Sequence, residues 1–136
     1  MTVESPAHTR GDTALMVEED GVLFTGDIVM PAFPAFQAPY SSIRSWGAAL
    51  DRLDAMKPQV IVPSHGRRGD GSMIAVYRDY FRALQTRAAA LKKEGKTVEE
   101  ASRVIQEEMP ARFSGLAYRG VNRVMLAAQT AYGEVR

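Results

Sequence analysis

The sequence predicts an α/β (α+β) domain, and three observations carry that expectation. Two apolar runs, Thr13 to Val17 and Val22 to Thr25, are joined by Glu18-Glu19-Asp20-Gly21. Asp-Gly between apolar runs marks a hairpin, because glycine supplies the positive φ of the tight turn. Ile43, Trp46, Leu50, Leu53 and Met56 then follow at near-helical spacing and lead directly into the apolar run Val60-Ile61-Val62-Pro63, a helix followed by a buried strand. Finally, Ile74, Tyr77, Phe81, Leu84, Ala88 and Leu91 are separated by steps of 3, 4, 3, 4 and 3, the apolar stripe of one long helix.

Taken in order, residues 1–12 read as a strand end and a loop, with Pro6 and Gly11 in a polar setting. The hairpin follows and ends at Gly26-Asp27. Residues 28–40 hold Pro31, Pro34 and Pro39, which exclude a helix or a central strand. Phe33, Phe36 and Tyr40 make that segment a loop pinned to the body by its aromatics, or alternatively a pocket wall or interface patch. Ser41 and Ser42 are candidate N-caps, and Lys57-Pro58 stops the helix they open. The long helix is expected over 72–93, with Gly95 as its C-terminal stop. Thr97 and Glu100 form a capping box for a further helix ending near Met109-Pro110. A last helix is expected from about Gly120 to Tyr132, with Val121, Val124, Met125 and Ala128 on one side. The expected organisation is an αβ unit over 1–71 and C-terminal helices over 72–136 packed on the same domain.

Composition narrows the function. The 136 residues are 46% hydrophobic and 24% charged with a net charge of +1, which is globular and gives no electrostatic case for nucleic acid or membrane partners. There are no cysteines, so disulfides and thiolate metal sites are excluded, and a transition-metal site must be built from histidine and carboxylate. No apolar run approaches the roughly 18 residues of a membrane span. The N-terminus lacks the basic start and apolar core of a signal peptide, so a cytoplasmic setting is the expectation.

Three polar stretches stand at strand ends. They are Ala7-His8-Thr9-Arg10-Gly11-Asp12-Thr13, then Thr25-Gly26-Asp27, then Ser64-His65-Gly66. The chain has only two histidines, His8 and His65, and both fall in these stretches. A lone histidine is more often structural than a ligand, and Asp27 alone could cap a turn. Their joint placement beside small residues is what points to a metal-site scaffold. A hairpin puts the residue before its first strand and the residue after its second at one end of the sheet, so His8 and Asp27 can meet. Arg10, Arg67 and Arg68 are either solvated surface arginines or a basic rim for an anionic group of a substrate.

In order and separation these motifs resemble the second half of a metallo-β-lactamase-fold hydrolase. The resemblance implies the second half of an αββα sandwich: a small mixed sheet with flanking helices and a C-terminal helical extension. It implies that His8 completes one metal's ligand set, that Asp27 touches both metals as the catalytic carboxylate, and that His65 completes the second set. Imidazole and carboxylate suit zinc, with manganese or iron as alternatives. The implied reaction is hydrolysis of a small-molecule substrate by a metal-activated hydroxide. Arg10 stands where proline is common in the family and Ser64 where glycine is common; neither change removes a ligand. The stretches Gly95 to Ala101, Asn122 and Ala131 to Glu134 resemble family members with extra C-terminal helices, and they favour a general hydrolase over an antibiotic-degrading enzyme.

The family's His-x-His-x-Asp-His cluster is missing from the sequence. Each ion would have two protein ligands from this chain, where catalytic zinc usually has three. The expectation is therefore a fragment or half-domain of a metal-dependent hydrolase, weak or empty in metal and inactive alone. The alternative is a non-catalytic assembly or binding module with relic ligands. A sheet apolar on both faces further predicts a partner, either a second copy in a homodimer or a complementary N-terminal half-domain.

Overall fold

The hairpin forms where the turn chemistry puts it: Gly21 has φ of 65° and its N–H bonds the Glu18 carbonyl at 3.3 Å. In the computed structural model, which describes residues 1–117 and 122–136, the elements are β1 (Thr2–Ser5), β2 (Asp12–Val17), β3 (Val22–Gly26), α1 (Ile43–Ala55), β4 (Val60–Pro63), α2 (Ser72–Lys93), α3 (Val98–Arg112) and α4 (Arg123–Glu134). The strands form one sheet in the order β1-β2-β3-β4. β1 and β3 run antiparallel to β2, while β4 runs parallel to β3 with Leu23 opposite Ile61. The sheet is thus mixed, and the α/β class stands.

The sheet has one covered face and one open face. Ala14, Met16, Leu23 and Ile61 turn inward and join a core with Trp46, Leu50 and Leu53 of α1 and Ile74, Tyr77 and Phe81 of α2. On the opposite face Leu15 is 45% and Phe24 43% exposed, and Val60 and Val62 beside them are only half-buried. The C-terminal helices do not fold over that face. α3 and α4 pack against each other and on α2, and the Glu134 carboxylate accepts the Ile43 N–H at 3.1 Å, tying the end of α4 to the start of α1.

Three boundaries differ from the sequence reading, and one of its two candidate caps is selected. β1 is a full strand rather than a strand end. Ser42 is the N-cap of α1, accepting from the Ser45 N–H, whereas the Ser41 hydroxyl accepts from the Gln37 N–H and donates to the His8 carbonyl. α3 continues through Pro110 to Arg112, because a proline removes one helical hydrogen bond without preventing the next: the Phe113 N–H still bonds the Met109 carbonyl at 2.9 Å. α4 begins at Arg123, and the Gly120 and Val121 expected at its start lie outside the described residues.

The proline-rich segment after β3 is pinned from beneath. Phe33 and Phe36 are buried, and Phe36 packs on Trp46 with ring centroids 4.9 Å apart. The Trp46 indole N–H donates to the Ile28 carbonyl at 2.9 Å, and the buried Tyr77 hydroxyl donates to the Ala32 carbonyl at 2.7 Å. Burial raises the Tyr77 phenol above its ordinary pKa, keeping it a proton donor. Among the described residues no helix is long and apolar enough to cross a membrane.

Candidate metal centre

Topology brings the three predicted residues to one end of the sheet. β3 and β4 are parallel, so the residues leaving them, Asp27 and His65, emerge at the same end. β2 is antiparallel to both, so the residues entering it, His8 to Asp12, arrive there too. The Ser64 N–H bonds the Gly26 carbonyl at 3.1 Å and clamps the two strand exits together.

Each side chain is held differently. The Asp12 carboxylate accepts from the Ala7 N–H (3.1 Å), the Thr9 N–H (2.7 Å) and the Thr9 hydroxyl (3.1 Å), which closes the loop carrying His8. The His8 ring stands 6.3 Å from that of Trp46 and is 14% exposed. Its Nδ1 lies 2.6 Å from the Ala35 carbonyl oxygen. A carbonyl can only accept, so Nδ1 carries a proton and Nε2 is the ring nitrogen that faces the depression. That Nε2 lies 3.4 Å from Asp27 Oδ2 and 3.4 Å from the Gln37 side-chain amide.

Asp27 sits on a turn fixed by its neighbours. The buried Thr25 hydroxyl donates to the Val29 carbonyl at 2.9 Å, and the Ile28 N–H bonds the Thr25 carbonyl at 3.0 Å. Asp27 Oδ1 accepts from the Ser64 hydroxyl and lies 3.6 Å from His65 Nε2. Asp27 is 31% and His65 60% exposed. The two imidazoles thus approach different oxygens of one carboxylate, across an open depression of about 490 Å³ that His8, Asp12, Asp27, Ser64 and His65 help to line. A larger groove of about 560 Å³ lies between α2 and α3, but it contains no histidine and its Arg87 is already paired with Glu108.

This geometry fits a bound cation. A ring nitrogen and a carboxylate oxygen 3.4 Å apart can share a proton or a metal ion between them. The donors are nitrogen and oxygen, the types that zinc, manganese and iron accept. Among the described residues, however, no group of three or more histidine or acidic side chains is arranged to hold one ion. Ser64, Ser41 and Asp12 were not identified as site partners from the sequence. Only Asp12 left a signal there, a short-range Thr-x-Gly-Asp spacing that closes a loop.

The sequence profile of the metallo-beta-lactamase superfamily matches residues 1–65, from β1 through His65. The chain carries part of a metallo-β-lactamase fold. Solved structures agree over most of its length. A stereoselective inverting sec-alkylsulfatase from a Pseudomonas species superposes with a TM-score of 0.71 at 18% identity, over 94% of this chain and 23% of that one. A beta-lactamase domain protein from Burkholderia ambifaria gives 0.67 at 22%, over 94% and 39%. A metallo-beta-lactamase family protein from Thermus thermophilus gives 0.62 at 22%, over 98% and 44%. At these identities the likeness is one of fold. The chain spans less than half the length of each. No curated protein sequence matches it. Within that fold, His8, Asp27 and His65 stand together at one end of the sheet.

Proposed function

We propose that this chain contributes one half of a metal-dependent hydrolytic centre of the metallo-β-lactamase type. The observation that carries the reading is the approach of His8 Nε2 and His65 Nε2 to separate oxygens of Asp27, at 3.4 and 3.6 Å. Each histidine would hold one ion and Asp27 would bridge them, with zinc the best match to the donors. When bound, such ions activate a water for attack on the substrate. This chain's own part is to orient the ligands: the Ala35 carbonyl fixes the His8 tautomer, and the Ser64 hydroxyl holds Asp27 Oδ1. The remaining ligands come from a complementary segment carrying the His-x-His-x-Asp-His cluster. The open sheet face, with Leu15 and Phe24 exposed, is the surface against which its sheet would pack.

Calorimetric zinc titration of chelator-free protein tests the metal assignment. The expected result is weak binding that falls by about tenfold or more in His8→Ala and in His65→Ala. Equal binding by wild type and both variants would reject the ligand assignment. Hydrolysis of β-lactam, thioester and phosphodiester substrates by the purified chain should be negligible and should appear when a fragment bearing the missing cluster is added. Metal-dependent turnover by the chain alone, lost in His65→Ala, would instead mean that the site is complete without such a partner. A second reading, a non-catalytic assembly module, is favoured by the absence of a three-ligand group among the described residues. It predicts zinc binding no stronger in wild type than in the histidine variants.

A further inference from the structure

Beside the metal-centre depression lies a second cleft, of about 400 Å³, lined by Pro31, Gly66, Arg67, Ser114, Gly115 and Ala117. Its two walls come from segments far apart in sequence. One is the loop after β4, a closed excursion whose far end is stitched back to the sheet by paired Ile61 and Gly69 backbone bonds of 2.8 and 2.9 Å. Gly66 within it has φ of 87°, and a Cβ there would stand 2.5 Å from Pro31 Cγ, so this loop lies flat on the proline-rich segment. The other wall is the stretch leaving α3. The Ala117 N–H bonds the Pro31 carbonyl at 3.0 Å, and the Phe33 N–H bonds the Ala117 carbonyl at 3.1 Å. Arg123 at the start of α4 donates to the Phe33 carbonyl at 2.8 Å and braces the same segment. The C-terminal helices therefore build part of the site's surroundings.

We propose that this cleft is an anion subsite of the same centre, with Arg67 as its cation and the Ser114 hydroxyl as a supporting donor. The inference rests on the reading of His8, Asp27 and His65 as half of a hydrolytic centre. It assigns the substrate class: a small molecule carrying a carboxylate, phosphate or sulfate group near the bond to be cleaved. Three features support it. Among the described residues no carboxylate lines the cleft. Arg67 and Arg68 are exposed and take no ion pair among the described residues, so a guanidinium fork is available to match a planar or tetrahedral oxyanion. Ser64 and His65 line the first depression while Gly66 and Arg67 line the second, so one loop forms a wall of both. A substrate with its anionic group on Arg67 would present its neighbouring atoms toward His65 and Asp27.

Amide chemical shifts of the isotopically labelled chain, titrated with inorganic phosphate and with acetate at constant ionic strength, test the subsite. Saturable shifts at Gly66, Arg67, Ser114 and Gly115, with a dissociation constant on the order of 1 mM, are expected. Arg67→Ala should weaken binding about tenfold or more, while Arg67→Lys should keep part of it. Zinc titration of Arg67→Ala, in separate phosphate-free samples, should match wild type. Shifts no larger than those from chloride, or unchanged anion binding in Arg67→Ala, would overturn the subsite and leave the metal reading intact. Anion binding that depends on Arg67, in a chain whose zinc binding ignores His8 and His65, would remove the substrate assignment by removing the centre it serves.

Discussion

At the scale of single residues, hydrogen bonds from behind hold the candidate ligands of the proposed centre. His8 is aimed by a backbone carbonyl, and Asp27 by the turn that Thr25 closes. Thr25→Val tests the second of these. The substitution keeps the shape of the side chain and deletes the buried 2.9 Å bond to the Val29 carbonyl. Denaturant unfolding should show a loss of about 1–3 kcal/mol, because the carbonyl partner stays buried. Zinc binding should weaken as the Asp27 turn loosens, and a variant as stable as wild type would mean that this bond does not hold the turn. The ligand candidates were legible because Asp27 and His65 follow strand exits, and His8 precedes a strand entry, that the apolar pattern marks. Their supports were not. The Ser41 hydroxyl bonds the His8 carbonyl 33 residues away, and the Ala35 carbonyl meets the His8 ring 27 residues away. Pairings of that separation are made by tertiary packing and leave no local pattern to read.

At the scale of elements, most of the fold follows from turn and cap chemistry. The Asp20-Gly21 hairpin, the 72–93 helix and the Thr97/Glu100 capping box all form where the sequence puts them. The register of β1 against β2 was not legible, since four residues of mixed polarity carry little periodicity, and the pairing of Thr2 with Leu15 emerges only when the intervening loop closes. α3 offers a test of cap energetics. Its Thr97 hydroxyl accepts the Glu100 N–H at 3.2 Å, and the Glu100 carboxylate accepts the Thr97 N–H at 2.9 Å. Thr97→Ala should cost about 1 kcal/mol in unfolding free energy. Two carboxyls on this helix also make it sensitive to acid. The backbone bond from Thr97 holds Glu100 below its ordinary pKa, and hydrogen bonding from Arg87 does the same for Glu108. A carboxyl with a lowered folded-state pKa contributes stability that is fully present above its unfolded value, near 4.3, and is lost as pH falls through the folded value. The Arg87–Glu108 pair, bidentate at 2.8 Å but half in solvent, should contribute under about 1 kcal/mol at neutral pH. Glu108→Gln and wild type should therefore differ slightly at pH 7 and converge in acid. A gap that widens as pH falls would reverse the sign assigned here.

At the scale of the whole molecule, the open sheet face is the feature that bears on association. Strands β2, β3 and β4 present Leu15, Phe24, Val60 and Val62 on the side away from the helices. The helical extension is occupied elsewhere: α3 and α4 pack on α2 and on each other, and Ala117 bonds the Pro31 and Phe33 backbone. Contiguous apolar patches beyond a few hundred Å² are rare on monomers. At about 25 cal/mol per Å², covering roughly 200–300 Å² on each of two copies would contribute on the order of 10 kcal/mol before the costs of association. That is comparable to a typical domain stability of roughly 5–15 kcal/mol, so an uncovered face favours association. Without a complementary half-domain, the expected partner is a second copy, packed sheet on sheet about a two-fold axis. Sedimentation at micromolar concentration should show a species of about twice the 14.9 kDa chain mass. Phe24→Ser with Leu15→Ser should shift it toward monomer while leaving helical content unchanged, since both side chains lie outside the helix-packed core. Adding the cluster-bearing fragment should compete with self-association for the same face. A wild-type chain that sediments as a monomer at every concentration would show that the face is stable in water as it stands, and both the dimer and the sheet-packing role assigned to Leu15 and Phe24 would fall with it.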